Sequence, residues 1–342
     1  MAVYTTVDDA GSFFDANIYA GTGAELAITG TGFQPDLNWI KNRDATDNHV
    51  LTDAVRGATK TIFPNYNDPS GEATVAEGLK SFDSDGYTLG TDVRWNTSTE
   101  NYVGWNWKMG TTSGLSGGTL TPDGYSFNAT AGQGIYEYTG DSSANTITHG
   151  LDTTPTFMIN KRIGNQEWKV YHVYNGPTKY MVLDQNDAVG THSNNWDDTA
   201  PTSTVFTIGS DLSASFAYMQ YVFSPIQGYS RFGSYTGNGN VDGPYVYTGF
   251  RPAYILIKNT EAAKNWQIYD NERSGYNKDN DQLFANTTAV EDTAEDALDI
   301  LSNGFKIRVN SDPVNLDTDV MIYAAFAESP FVNSKGIPTN GR

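Results

Sequence analysis

One phrase recurs three times along the 342 residues, and it limits the chain to folds assembled from similar small units. Gln34-Pro35-Asp36-Leu37-Asn38-Trp39-Ile40-Lys41-Asn42-Arg43 returns as Thr154-Pro155-Thr156-Phe157-Met158-Ile159-Asn160-Lys161-Arg162, then as Arg251-Pro252-Ala253-Tyr254-Ile255-Leu256-Ile257-Lys258-Asn259. Upstream of each copy stands a Tyr-x-Gly signal, at Tyr19-Ala20-Gly21, Tyr138-Thr139-Gly140 and Tyr235-Thr236-Gly237. Its spacing tracks that of the prolines, so two independent landmarks share one register.

Each phrase reads as a strand. Proline opens it, where a missing N–H does least harm, and alternation in Leu37-x-Trp39 and Tyr254-x-Leu256 puts every second side chain on a core face. Each copy closes on an aromatic strand, around Tyr102–Trp107, Tyr218–Phe223 and Met321–Phe326. Ser84-Asp85-Gly86 and Ser302-Asn303-Gly304 read as hairpin turns. With 34 Gly, 21 Tyr and 16 Phe, the composition favours short strands and tight turns. The expected fold is all-β, with three tandem β-sandwich repeats of jelly-roll or concanavalin-like type and about 100 residues each. The sandwiches span residues 1–110, 125–227 and 228–332, with a Gly/Ser/Thr-rich linker at 111–124 and an extended tail at 333–342. The one candidate helical turn is 290–298.

Charge and composition narrow the partners. Forty acidic residues against 21 basic give a net charge of −19, which repels nucleic acid and anionic membrane surfaces. No apolar stretch approaches a membrane span, and the N-terminus does not read as a signal peptide. With no cysteine, disulfides and thiolate chemistry are excluded. His49, His149, His172 and His192 stand apart, with no metal-binding pair or nucleophile elbow. The Asp83-x-Asp85-Gly86 and Asp279-Asn280-Asp281 turns lack the rest of a calcium loop, so neither a cofactor nor a metal is expected. The recurring Lys41, Lys161 and Lys258 read as part of the fold signature, on the solvent face at a strand end or capping a turn. Trp168 and Trp266 read as core. Trp95 and Trp196 fall outside the repeat pattern, in polar loops, and are the candidate surface-recognition residues.

Gly32-Phe33-Gln34-Pro35-Asp36, Asp53-Ala54-Val55-Arg56-Gly57, Ser81-Phe82-Asp83-Ser84-Asp85-Gly86-Tyr87, Phe232-Gly233-Ser234-Tyr235-Thr236-Gly237 and Gly336-Ile337-Pro338-Thr339 resemble repeated modules of virion structural proteins in tailed phages, especially marine and cyanobacterial ones. The resemblance runs from about residue 13 to the C-terminus. It implies a non-enzymatic sandwich module on a fibre, tail appendage or capsid surface, assembled in the host cytoplasm. Other virion proteins, and a host-surface glycan or protein receptor, are the implied partners, together with further copies of the chain in a homo-oligomer, a homotrimer if it is fibre-borne. Two alternatives stay open: a capsid decoration or linker protein, and a polysaccharide-degrading tailspike.

Overall fold

The computed structural model describes residues 5–67, 71–273, 277 and 281–339. It is all-β, built from three large antiparallel sheets, each backed by a small one. The first large sheet runs Phe14–Ala20, Asn101–Trp107, Leu37–Asn42, Val50–Asp53, Lys60–Ile62 and Ala73–Thr74 in spatial order. The third runs Ser230–Thr236, Val320–Pro330, Phe250–Asn259, Gln267–Asp270 and Leu283–Phe284. The second follows the same order through Gln133–Thr139, Ala217–Phe223, Phe157–Arg162, Lys169–His172 and Lys179–Val182, with Gly124–Asn128 and Gly190–Thr191 added at its edges. In every case the phrase strand pairs with the closing aromatic strand.

The phrase strands are buried on both faces. All six residues of Leu37–Asn42 are buried, not the expected alternate ones. Leu37 and Trp39 point into a core common to all three large sheets, while Ile40 points outward to a second core with Tyr87 and Trp95 under the small sheet. Trp107, Phe223 and Phe326 hold corresponding places on the three closing strands. Their rings meet as a triangle with centroids 6.4, 5.5 and 5.5 Å apart. Phe14 stacks on Phe326 at 5.5 Å and also packs on Trp107. Beside this triangle, residues from all three sheets line an apolar cavity of about 30 Å³, which has room for a water but too few polar partners to hold one stably.

Polar contacts link each sheet to the next in one rotational sense. Tyr221 of the second sheet donates its hydroxyl to Asp53 of the first at 2.8 Å, and Arg56 binds the same carboxylate at 2.7 Å. Trp105 of the first donates Nε1 to Asp270 of the third at 2.9 Å, where Arg273 binds at 2.6 Å. Between second and third the corresponding group is His172. Its Nδ1 accepts from the Tyr174 amide, and its Nε2 donates to the Tyr323 carbonyl at 3.3 Å. Burial lowers the His172 pKa to about 4, so the ring is neutral there. The cycle closes, first to second to third to first, as head-to-tail contacts must to form a ring.

The Tyr-x-Gly signals are clasps. Tyr19, Tyr138 and Tyr235 donate to the carbonyls of Trp95, Leu212 and Val314 at 2.9, 2.7 and 2.8 Å. A Cβ on Gly21, Gly140 or Gly237 would lie 2.0, 2.2 or 2.1 Å from a backbone oxygen, so no larger residue fits there.

The connections depart from expectation. Residues 111–124 are not a free linker: Thr111 bridges Phe127, Gly118 bridges Ile147, and Leu115 and Leu120 pack on the second outer core. The tail is not extended up to residue 339. It turns back so that Val332 bridges Pro338, and Ser334 donates to Asp8. Residues 340–342 lie outside the described residues. Residues 290–297 form a loop, with Leu298 opening a strand, while short helical turns form at Val93–Asn96, Ser193–Trp196 and Asp312–Asn315.

No chain connection joins the third sheet back to the first, and that junction carries the richest ion-pair network. Glu291 takes Arg43 at 2.6 Å and Arg273 at 2.9 Å, all three side chains being largely shielded from water. Removing one partner of a buried network strands the others without compensation. Glu291→Ala should lower unfolding stability by about 3 kcal/mol in urea titration. A loss under about 0.5 kcal/mol would mean this junction does not hold the ring closed.

Candidate functional site

The residues singled out by repetition have structural duties. Lys41, Lys161 and Lys258 are buried, not on the solvent face. Their strand parity points them inward, past the last apolar layer, and each ammonium is spent on carbonyls. Lys258 reaches Asn259, Ala262 and, across the junction, Asn186 of the second segment. Lys41 binds the carbonyls of Asn42 and Ala45, while the Asn42 side chain accepts the amides of Asp44 and Ala45. The Lys-Asn pair thus closes its turn from both sides. Burial lowers the pKa of Lys41 and of Lys258 to about 8. Trp168 and Trp266 are core, each standing just ahead of a strand.

Trp95 and Trp196 are not surface residues. Trp95 is 1% exposed and packs beneath the first small sheet, with Gly78 against its ring. Trp196 is fully buried, meets Tyr171 edge-on at 5.7 Å and donates Nε1 to the Lys179 carbonyl. A polar loop sequence hid this because both tryptophans lie on one-turn helices that press inward, a feature too short to leave a period.

The described aspartates of the Asp-rich turns are engaged by protein groups. Asp83 accepts from Ser81 and Thr88, and Asp85 accepts the Gly32 amide. Asp279 and Asn280 lie outside the described residues, and Asp281 sits 3.6 Å from Arg43. Among the described residues no cluster of three His, Asp or Glu could hold a metal. His49 and His149 are buried with lowered pKa values, caused first by desolvation, and each contacts a backbone carbonyl through Nε2.

A site is better sought where the three segments stop matching. The first and third small sheets carry a hairpin strand, Leu79–Asp83 and Leu298–Leu301, against Gly86–Leu89 and Gly304–Ile307. The second small sheet has only Asn145–Thr148 and Val205–Ile208. In place of the missing strand the chain makes the turn Ser193–Trp196 and the loop after it, with Asp197 and Asp198 at φ 51° and 47°. Trp196 fills the space beneath.

Two polar hollows flank this turn and share His192. One, about 340 Å³, lies at the junction of first and second segments, between Asn67, Asn165, Glu167, Tyr180 and Asp211. The other, about 480 Å³, is bordered by Thr178, Thr191, Asn194 and Asp198. Lys169 sits 4.2 Å over the Tyr180 ring and binds Glu167. Burial raises the Glu167 carboxyl, but its bonds to Lys169 outweigh this and leave it below its ordinary range. His192 is half-exposed, 3.4 Å from Asp211 and edge-on to Tyr180 at 6.4 Å. The Gln166 Oε1 atom is buried with no partner. Amides, hydroxyls and an aromatic ring on a fixed sheet make a surface for hydrogen-bonding ligands. Glu167 is pushed the wrong way for an acid catalyst of glycoside cleavage.

No curated protein and no solved structure matches the chain. A family model described as a domain of unknown function (DUF7483) matches residues 9–330.

Because both off-pattern tryptophans fill space, Trp95→Ala and Trp196→Ala should each cost about 3–5 kcal/mol in denaturant unfolding. A cost below 1 kcal/mol at either would return that side chain to the surface.

Proposed function

The chain belongs to the DUF7483 family, and we propose that it is a non-enzymatic structural protein of a tailed-phage virion, exposed on a fibre or appendage, that contributes to host-surface attachment. The polar groove around Tyr180 and His192 is the contact surface in this reading. The observation that carries it is local: the groove is bordered by the one turn that replaces a strand present in both other segments. Such a device fits a rigid frame that presents one differentiated surface to a ligand.

Adsorption of the isolated protein to host cells tests the reading. The unaltered chain should adsorb, and the Tyr180→Ala/His192→Ala variant should lose at least tenfold of it, as removal of a central contact does. Full adsorption by the variant would remove the groove from the account. Failure of the unaltered protein to adsorb would favour the capsid decoration reading, and release of reducing ends from host polysaccharide would favour the tailspike.

The resemblance implies a homotrimer. The threefold arrangement of segments inside one chain suits a different assembly, a monomer whose three sheets already bury one another's inner faces. Light scattering should give the mass of a single chain, and a threefold mass would restore the trimer.

A further inference from the structure

A further cleft lies elsewhere, at one end of the third sheet pair. It measures about 520 Å³ and is walled by Arg231, Phe232, Tyr247, Gly249, Gln227 and Phe331. The corresponding end of the second pair is filled. A Cβ placed on Gly150 of the second would run into Leu115 and Phe127 at 2.7 Å. At the matching Gly249 it would meet only the Tyr247 ring, at 3.4 Å or more. The register also sets Arg231 opposite Ala325 where the first sheet sets Asp15 opposite Asn106 and the second sets Gly134 opposite Val222. This end is open where the second is plugged, and of the three it alone carries an arginine at that position.

Arg231 is exposed, and its guanidinium lies 5.8 Å over the half-exposed Tyr247 ring, beside the Tyr323 hydroxyl. Among the described residues no carboxylate pairs with it, although the chain carries 40 acidic residues and nearby Arg251 is tied to Glu328 at 2.7 Å. A planar cation held against an aromatic ring and left without a counter-ion presents its N–H fork to an incoming carboxylate. The ring edge and the apolar wall at Phe331 and Val332 suit a flat, partly apolar body attached to that carboxylate.

We propose that this cleft binds a carboxylate-bearing sugar of the uronic-acid type, with the carboxylate on Arg231 and the pyranose against Tyr247. The net charge of −19 selects against densely anionic polymers, so the ligand is a single or sparsely placed acidic residue. This site is separate from the groove at Tyr180 and stands or falls independently of attachment.

Titration of glucuronate into the full chain, followed by ligand-observed NMR, tests it. Glucuronate should bind, glucose and acetate should each bind at least tenfold more weakly, and Arg231→Gln or Tyr247→Ala should abolish the saturation signal. Tyr180→Ala should leave it unchanged. Thermal unfolding of each variant separates loss of the site from loss of the fold. Equal binding of acetate and glucuronate would reduce the cleft to a simple anion site and overturn the sugar assignment. Tighter binding of N-acetylglycine than of glucuronate would assign it to a peptide carboxylate instead. Absence of any glucuronate signal, or its persistence in Arg231→Gln, would also overturn the proposal.

Discussion

Three aromatic rings, one from each closing strand, meet at Trp107, Phe223 and Phe326, and the architecture is organised around that meeting. A sheet in a sandwich ordinarily has one buried face and one wet face. Here each large sheet gives its second face to the common core, so strands such as Leu37–Asn42 and Ala217–Phe223 are buried almost throughout. Rings of this size each remove on the order of 150–250 Å² from water, so the core is a large share of the driving force. A hydrophobic share of only 38% suffices because one shared core serves three sheets.

Polar junctions then decide how the sheets sit. A shared apolar core is non-directional. The Tyr221–Asp53, His172–Tyr323 and Trp105–Asp270 contacts fix each neighbour's angle, since a buried polar group tolerates little misplacement. The three are not equal. Arg56 and Arg273 reinforce two of them, whereas His172, being neutral, contributes a single bond. That weaker junction is also the one spanned by the short connection after Phe223, while the junction with no connection has the Glu291 network.

Much of this was legible in the chain. The phrase strands, the closing aromatic strands, both hairpins and the core roles of Trp168 and Trp266 all follow from alternation and turn chemistry. Alternation cannot say whether the second face of a strand is wet, however. Lys41, Lys161 and Lys258 therefore read as solvent-facing or as turn caps; they are buried, and their tips cap turns through carbonyls. Trp95 and Trp196 misled for a related reason: their neighbours are polar, but one helical turn aims each indole inward. The open cleft at Arg231 and the groove at His192 had no signal in the sequence, because each arises from something missing beside it, a plug in one case and a strand in the other.

Three sheet pairs that share one core should unfold as one cooperative body. Differential scanning calorimetry of the whole chain tests it most directly, by comparing calorimetric with van't Hoff enthalpy. A single transition with the two enthalpies equal is the predicted result. Two or three separable transitions, each carrying the enthalpy of about 100 residues, would show independent sandwiches and contradict the shared core.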